Sequence, residues 1–406
     1  MAQRSIRSSR KGLPRARLLS DADENVLLAC GVDPASLPYL IPKLCHKNLL
    51  LEGVKLYAAN ILKQSMLSIG GDVAVHRHAV SGKVETSHCV IMGDLRHFRQ
   101  LLEKLKLQPG LEPVAESIRE QLFPPKGPLE LDLLGIVHRW EKKPAIMGIL
   151  NATPDSFSDG GAWVDRAAAV RHALELVRQG ADIIDVGGES SRPDARPVDE
   201  NEEKSRVLPL IEELASSIDV PISIDTTKAR VAEAALAAGA SIINDITALT
   251  GDPEMPDLAR ETRCGVILMH MRGMPATMQS QTDYQDIVQE IHAYLDERIE
   301  ACLLAGISPS SIMVDPGIGF GKDTAGNLAI IRHIAEFKSL GIPLLLGHSR
   351  KSFLGKILNT DPHEREQGTD AITAWATMHG VDMVRVHDVL HAVRLREVIR
   401  SVMEAA

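Results

Sequence analysis

The sequence has few cysteines, no long apolar run and no excess of positive charge, and each absence argues against a class of protein. Its five cysteines are scattered without a C-x-x-C pair, so we predict reduced thiols in the cytoplasm rather than a disulfide framework. No run of about 18 apolar residues occurs, which argues against a transmembrane span. The formal net charge of −9 argues against nucleic acid or an anionic membrane as a partner.

The length and composition fit a globular protein with room for two domains. The chain has 406 residues, of which 44% are hydrophobic and 24% charged. A Pro- and Gly-rich stretch, FPPKGP, separates two regions of different pattern. We therefore predict a smaller N-terminal α/β domain over residues 1–122, a linker over 123–128 and a second domain over 129–406.

Short apolar runs recur through the second region. They are rich in Ile, Val and Leu and almost continuously hydrophobic, as expected for parallel strands that are buried on both faces. The eight runs are 145–150, 182–188, 222–225, 241–246, 265–270, 312–317, 344–349 and 383–388. Segments with helical spacing alternate with them: 165–179, 200–217, 229–238, 284–304, 325–340 and 364–379, with Asp388 predicted to cap a last helix.

Two architectures accommodate this alternation, a closed (β/α)8 TIM barrel and a doubly wound open sheet. Each apolar run ends on polar residues: Asn151, Glu189, Asp225, Asn244 with Asp245, His270, Asp315, Ser349 and His387. In a barrel all eight carboxyl ends meet at one rim, where active sites are built. An open sheet brings together only the ends near its switch point. The pattern therefore favours the barrel.

The polar strand ends predict a pocket for a ligand with several hydrogen-bond donors on a flat edge. A single polar residue at a strand end is often a helix cap, but burying Asp225, Asn244 and Asp315 together without partners would be costly. The segment GHSRKSFLG (347–355) places cationic residues and a helix start after the seventh strand, where barrels often bind anions. Arg385 and His387 alternate along the eighth strand and so share one face.

The order of several motifs identifies a family. NATPDSFSDGG, ESSRPDA, SIDTTKA, IINDI, LMHMRGMPATMQ, DPGIGFGK, GHSRKS and RVHD together resemble dihydropteroate synthase, the sulfonamide target of the folate pathway. The resemblance covers the chain from about Leu129 onwards. It implies a transferase that condenses 6-hydroxymethyl-7,8-dihydropterin diphosphate with 4-aminobenzoate and releases pyrophosphate. It also implies a homodimer.

The resemblance implies a role for each matching residue. Asp225, Asn244, Asp315, Phe320, Gly347, Lys351 and Arg385 would bind the pterin. Asn151, Arg385 and His387 would surround the diphosphate, with Asn151 as a ligand of Mg²⁺. Phe157, Ser191, Arg192, Pro193 and Ser352 would bind 4-aminobenzoate. The expected catalytic residues are Asp159, Arg192, Lys351, Arg385 and His387, which support a dissociative loss of pyrophosphate from the pterin methylene.

Two segments depart from the usual family pattern. The second loop reads SSRPD rather than STRPG, so Ser191 lacks a methyl group and Asp194 adds a carboxylate. The fifth strand is followed by Arg272 where Gln is more usual. Neither change falls on a pterin or diphosphate residue, so the departures concern substrate affinity rather than the type of reaction.

The N-terminal region is not part of a minimal enzyme of this family. We predict a helix over 50–67, two strands around a turn at Ser81 and Gly82, and a helix from Asp94. His76, His78 and His88 allow a metal hypothesis, but no Cys or carboxylate stands at ligand spacing, so solvated strand positions are the preferred interpretation. The region contains no P-loop, and interaction, oligomerisation and regulation remain open as its role. For the whole chain, the alternatives are a methyltetrahydrofolate-type pterin-binding methyltransferase and a non-catalytic pterin-binding regulator.

Overall fold

The computed structural model describes residue 19 and residues 23–123, 127–152, 166–190, 198–275 and 277–405. The chain forms two compact units, one up to Pro125 and the other from Lys126 to Ala405. None of the helices in this described part is long and apolar enough to span a bilayer.

The N-terminal unit is a small α/β domain. Its elements are α1 (Glu24–Ala29), α2 (Leu37–Leu44), β1 (His46–Lys55), α3 (Leu56–Leu67), β2 (Asp72–Ala74), β3 (Thr86–Asp94), α4 (Leu95–Leu105) and α5 (Glu112–Leu122). The strands form an antiparallel sheet in the order β1-β3-β2. One face of β3 packs through Cys89 and Ile91 onto Leu62 and Met66 of α3 and Phe98 of α4, which form a closed apolar core.

The predicted helix over 50–67 is wrong in its first part. Residues up to Lys55 belong to β1, which pairs with β3, and α3 begins at Leu56. Gly53 has a positive φ of 63°, which a helix does not accommodate. The pairing with β3, distant in sequence, therefore overrides the helical appearance of this segment. The predicted helix start at Asp94 is correct, because its side chain accepts a hydrogen bond from the His97 amide and caps α4.

The second unit is the predicted (β/α)8 barrel. It begins with a hairpin that the sequence did not predict, β4 (Leu129–Leu133) and β5 (Ile136–Trp140). The barrel strands are β6 (Ala145–Asn151), β7 (Ile183–Gly187), β8 (Ile222–Asp225), β9 (Ile242–Asp245), β10 (Gly265–Met269), β11 (Ile312–Asp315), β12 (Leu345–Leu346) and β13 (Met383–Val386). All are parallel, and a bridge between Val314 and Leu344 links β11 to the start of β12.

Helices surround the barrel. They are α6 (Arg166–Arg178), α7 (Glu200–Ala215), α8 (Ala229–Ala237), α9 (Met255–Thr262), α10 (Ile287–Leu304), α11 (Thr324–Arg332), α12 (Ser352–Leu358), α13 (Glu366–Met378) and α14 (Val389–Glu404). The sequence did not predict α9, and the predicted helix over 325–340 divides into α11 and a 3-10 segment, Ile334–Leu340. Asp388 caps α14 as expected.

The hairpin closes the amino-terminal end of the barrel. Leu129, Leu131 and Leu133 of β4 join a buried cluster with residues near the starts of the barrel strands, among them Met147 and Met383. Apolar packing therefore fills this end, and the opposite, carboxyl-terminal end is left for the polar residues.

Candidate active site

The pocket is a polar layer inside the barrel. It lies directly on the carboxyl-terminal side of an apolar layer. Side chains two residues apart share one face of a strand. The inward faces accordingly run from apolar to polar in the pairs Ile183 and Asp185, Ile242 and Asn244, Met313 and Asp315, and Met383 and Arg385. The alternation of each strand therefore brings Asn244, Asp315 and Arg385 to one level of the barrel, as the sequence predicted, and adds Asp185.

Arg385 holds two carboxylates together at the centre of this layer. Its Nε donates to Asp185 Oδ2 at 2.5 Å, and its Nη2 donates to Asp225 Oδ2 at 2.8 Å. Asn244 Nδ2 also donates to Asp185 Oδ2, at 3.2 Å. One network thus joins strands β7, β8, β9 and β13 across the barrel, and its charge-assisted bonds fix the orientation of the guanidinium.

Lys351 and Phe320 form the side of the pocket next to Asp315. Lys351 Nζ lies 4.1 Å from the centre of the Phe320 ring, a cation–π contact. Asp315, which is only 5% exposed, accepts a hydrogen bond from the Gly317 amide at 2.7 Å. Gly347 faces Asp315, since a Cβ added there would lie 3.2 Å from Asp315 Oδ2.

The glycine-rich loop after β11 is tied down by a buried lysine. Lys322 Nζ contacts His270 Nδ1 at 2.9 Å and donates to the Phe320 carbonyl at 2.8 Å. Gly317 adopts a φ of +70°, and a Cβ there would lie 2.0 Å from the His270 carbonyl oxygen, so no other residue fits. Lys322 and Gly317 therefore set the position of Phe320 beneath Lys351.

His387 and Asn151 lie at the outer edge of the same rim. Ser349 Oγ contacts His387 Nδ1 at 2.9 Å and accepts from the His387 amide at 3.2 Å. Asn151 ends β6, and its Oδ1 lies 3.9 Å from the position of a Cβ added to Gly187. By contrast, Arg350 Nε donates to Glu366 Oε2 at 2.7 Å, which ties Arg350 to α13.

The predicted 4-aminobenzoate residues fall largely in two segments that the structure does not describe. Phe157 and Asp159 of the first loop, and Ser191, Arg192, Pro193 and Asp194 of the second, lie outside the described residues. Ser352 is described, and it is the exposed first residue of α12.

The ends of the second loop are described and are held by an ion-pair cluster. Glu189 Oε1 accepts a hydrogen bond from the Val198 amide at 3.1 Å. Lys228 Nζ donates at 2.5 Å to Glu189 and at 2.5 Å to the fully buried Glu203. Burial would lower the pKa of Lys228, but the two carboxylates raise it. Glu189 therefore anchors the base of this loop.

The pocket shifts the pKa values of its ionisable groups in opposite directions. Burial raises the pKa of Asp225 to about 7 against the opposing effect of Arg385, and it also raises the pKa of Asp315. Burial and the nearby Arg385 lower the pKa of Lys351 to about 8. Burial would lower the pKa of Arg385, yet Asp185 and Asp225 raise it. Near neutral pH the pocket therefore holds groups that gain or lose a proton easily.

Metal-ligand groupings are sparse in the described part of the chain. The group of three candidate ligands found there is Asp361, His363 and Glu364, all exposed. His76, His78 and His88 are not brought into such a group among the described residues, so the metal hypothesis for the N-terminal unit gains no support.

Sequence reasoning missed Asp185 and assigned no role to Ser349 or Lys322. Asp185 lies in the middle of an apolar run rather than at its end, although its place two residues after Ile183 on the inward face is a signal that could have found it. The role of Ser349 depends on its contact with His387, and that of Lys322 on its contact with His270. Each contact joins two residues that follow different barrel strands and are distant in sequence.

Fold and pocket together define the class. An eight-stranded parallel barrel whose carboxyl-terminal end presents buried acceptors beside Lys351 and Arg385 belongs with enzymes that bind a flat, donor-rich ligand carrying an anionic group. The family model described as pterin binding enzyme matches residues 147–387.

Relatives refine this assignment. The dihydropteroate synthase of Synechocystis is 47% identical over 268 residues, which cover 66% of this chain and 91% of that protein. The Escherichia coli dihydropteroate synthase is 45% identical over 262 residues, covering 64% of this chain and 93% of that protein. A solved Xanthomonas albilineans dihydropteroate synthase with 4-aminobenzoic acid has a TM-score of 0.65 and 41% identity, and covers 69% of this chain and 100% of its own. The chain therefore belongs to the pterin binding enzyme family as a dihydropteroate synthase, a transferase.

A further relative matches more of the chain. A probable bifunctional folylpolyglutamate synthase/dihydropteroate synthase of Haloferax volcanii is 43% identical over 345 residues, covering 82% of this chain and 40% of that protein. This match is longer than the whole barrel unit. The similarity therefore continues into the N-terminal unit, whereas the Synechocystis and E. coli matches, over 268 and 262 residues, are shorter than the barrel unit alone.

Proposed function

We propose that this chain condenses 6-hydroxymethyl-7,8-dihydropterin diphosphate with 4-aminobenzoate to give 7,8-dihydropteroate and pyrophosphate in folate biosynthesis. The observation that carries the proposal is the buried network of Arg385 with Asp185, Asp225 and Asn244 beside Asp315 and Lys351. Solved X. albilineans synthases with 4-aminobenzoic acid and with 7,8-dihydropteroate support it.

The pterin would lie in the polar layer. Its amino and ring N–H groups would donate to Asp225, Asn244 and Asp315, which restores partners to groups whose burial is otherwise costly. Lys351 would donate to the acceptor side of the ring. Phe320 and Gly347 would border the ring, and the planar guanidinium of Arg385 would stack along it.

The diphosphate would lie at the outer rim, next to Asn151, Arg385 and His387. We assign the Ser349 hydroxyl as the donor to His387 Nδ1, while the Ser349 oxygen accepts from the His387 amide. His387 then carries its proton on Nε2 and presents an N–H donor to the leaving pyrophosphate. Together with Arg385, this donor would stabilise the anion as it departs.

The donor set suits magnesium. Asn151 offers one carboxamide oxygen, and the described residues place no closed group of metal ligands at this rim. Magnesium is commonly held by few protein oxygens together with substrate phosphates and water. Asn151 would hold it, and when bound it would neutralise charge on the diphosphate.

The bond between the pterin methylene and the diphosphate would break before the bond to the arylamine nitrogen forms. Departure of pyrophosphate leaves a cationic methylene that the conjugated pterin ring stabilises, and the neutral arylamine of 4-aminobenzoate then attacks it. We assign Asp159 and Arg192 to the support of this step, and Phe157, Ser191, Pro193 and Ser352 to the binding of 4-aminobenzoate. These assignments rest on the family resemblance.

The test measures pyrophosphate release by the full chain with the pterin diphosphate and Mg²⁺, with and without 4-aminobenzoate. We expect formation of 7,8-dihydropteroate that requires both the arylamine and Mg²⁺. Tight pterin binding without turnover would favour a non-catalytic regulator instead, and turnover that ignores 4-aminobenzoate would overturn the proposed reaction.

Two further parts of the proposal concern the setting of the reaction. We expect a homodimer, which light scattering of the purified chain tests, and a cytoplasmic location, which fractionation tests. A monomer at micromolar concentration would contradict the first, and recovery outside the cytoplasm the second.

A further inference from the structure

Asp185 is the most deeply buried carboxylate of the pocket network, and the proposed chemistry assigns it no contact with the substrate. It is fully buried, and its Oδ2 accepts from both Arg385 Nε and Asn244 Nδ2. Its other oxygen, Oδ1, has no hydrogen-bond partner among the described residues. A buried carboxylate that is incompletely satisfied costs folding free energy, so its presence calls for a functional explanation.

The chemistry of the carboxylate determines which way the neighbouring amide points. An ionised carboxylate can only accept hydrogen bonds, whereas a carboxamide carries both a donor and an acceptor. The Asn244 side chain must therefore turn its NH2 group towards Asp185. Its Oδ1 then points away from Asp185 and is available as an acceptor.

The same carboxylate restrains the guanidinium. Arg385 is held at Nε by Asp185 and at Nη2 by Asp225. Two bonds to two strands fix the plane of the group, because either bond alone would leave it free to rotate. Asp185 therefore acts on two residues that are expected to contact the pterin, and it does so from a fully buried position.

We infer that Asp185 is a positioning residue that holds Asn244 as a hydrogen-bond acceptor and Arg385 as a fixed plane, and so selects a ligand with a donor-bearing pyrimidine edge. The inference rests on the proposed function, since it concerns the same pterin pocket. Asp185 thus contributes to recognition of the pterin without needing to contact it.

Calorimetric titration with pterin and with lumazine, its 2-oxo analogue, tests the inference. Lumazine replaces the exocyclic amino donor by a carbonyl acceptor. In Asp185→Asn the carboxamide can either donate or accept, so Asn244 is free to turn over. We expect pterin affinity to fall about tenfold or more, and the preference for pterin over lumazine to fall about tenfold.

An exchange variant provides the rescue. Asp185→Asn combined with Asn244→Asp keeps the total charge and reverses the bond, so that Asn at 185 donates and Asp at 244 can only accept. We expect the preference for pterin over lumazine to return to within about threefold of wild type. The matched control is Asp132→Asn in β4, the same chemical change at the opposite end of the barrel, and it should leave both affinities unchanged.

The outcomes separate this inference from the proposed function. Failure of the wild-type chain to bind pterin would overturn the proposed function itself. Wild-type binding combined with an unchanged ligand preference in Asp185→Asn would overturn the inference alone. If the single variant does not fold by circular dichroism, the exchange variant decides the matter, because a loss of preference there overturns the inference and its retention supports it.

Discussion

The two units of this chain use buried polarity in opposite ways. The core of the N-terminal unit is an apolar cluster in which Leu62, Phe98 and Ile118 are fully buried. The barrel buries Asp185, Asn244, Asp315 and Lys322 at one end. A buried polar atom without a hydrogen-bond partner opposes folding, and Asp185 Oδ1 in the pocket is such an atom among the described residues, so the pocket costs the barrel some stability. The buried polar groups of the barrel therefore fit the binding of a ligand, whereas the apolar cluster of the N-terminal unit fits a role in folding.

The largest expected effect comes from removing the cation of the barrel pocket. Lys351→Ala removes the cation beside Asp225 and Asp315, and we expect pterin affinity to fall about 100-fold or more. Calorimetric titration with pterin measures it. Lys356→Ala, an exposed lysine on α12, is the control and should bind as wild type. Near-wild-type affinity of Lys351→Ala would remove this residue from the site.

The complementary change lies in the N-terminal core. Phe98→Ala leaves a cavity among Leu62, Met66 and Leu101, and we expect the free energy of unfolding of that unit to fall by about 3–5 kcal/mol. Thermal unfolding followed by circular dichroism measures it. Pyrophosphate release below the unfolding temperature should stay within about twofold of wild type, if the comparison between the units holds. A proportional loss of activity would show that the N-terminal unit serves the reaction.

The sequence was sufficient to predict the barrel but not all of its interior. The eight strands could be predicted because each apolar run ends on a polar residue, and that repeat has a physical cause in the shared rim. Asp185 escaped because it lies inside an apolar run, where hydrophobicity alone hides a single carboxylate. Helix α9 escaped because it spans only eight residues, about two turns, which is too short for a repeating pattern to stand out.

The other points that the sequence did not predict depend on contacts between segments that are distant along the chain. Residues 50–55 looked helical, and their pairing with β3 decides otherwise. The departure at Arg272 is explained by its ion pair with Glu290 and its contact with the Tyr284 ring 3.6 Å away. The three rim residues without a predicted role are also explained in this way, since Glu189 anchors a loop through Lys228, His270 contacts Lys322, and Ser349 contacts His387.

A smaller effect is expected where the barrel positions a catalytic group indirectly. Ser349→Ala removes the hydroxyl that contacts His387 Nδ1, so the imidazole loses its fixed tautomer. We expect kcat for pyrophosphate release to fall about tenfold while pterin affinity stays unchanged, because Ser349 is assigned to the diphosphate side. Ser349→Thr keeps the hydroxyl and should recover most of the rate. Equal losses in Ala and Thr variants would contradict a role through hydrogen bonding.

The smallest expected effect is the pH dependence that the polar layer confers. The pKa of Asp225 is raised to about 7 by burial, so in the free protein this group is increasingly protonated below that pH and is then a weaker acceptor for the N–H groups of the pterin edge. The pKa of Lys351 is lowered to about 8 by burial and by Arg385, so its positive charge is progressively lost above that pH. Pterin binding requires the deprotonated acid and the protonated amine. Affinity should therefore be greatest between about pH 7 and 8 and fall severalfold within one pH unit on either side.

Calorimetric titration from pH 5.5 to 9.5 measures this profile. In Asp225→Asn the acidic limb should disappear while the alkaline limb remains, and an acidic limb that persists in this variant would assign the lower transition to another group, such as Asp315, whose pKa burial also raises.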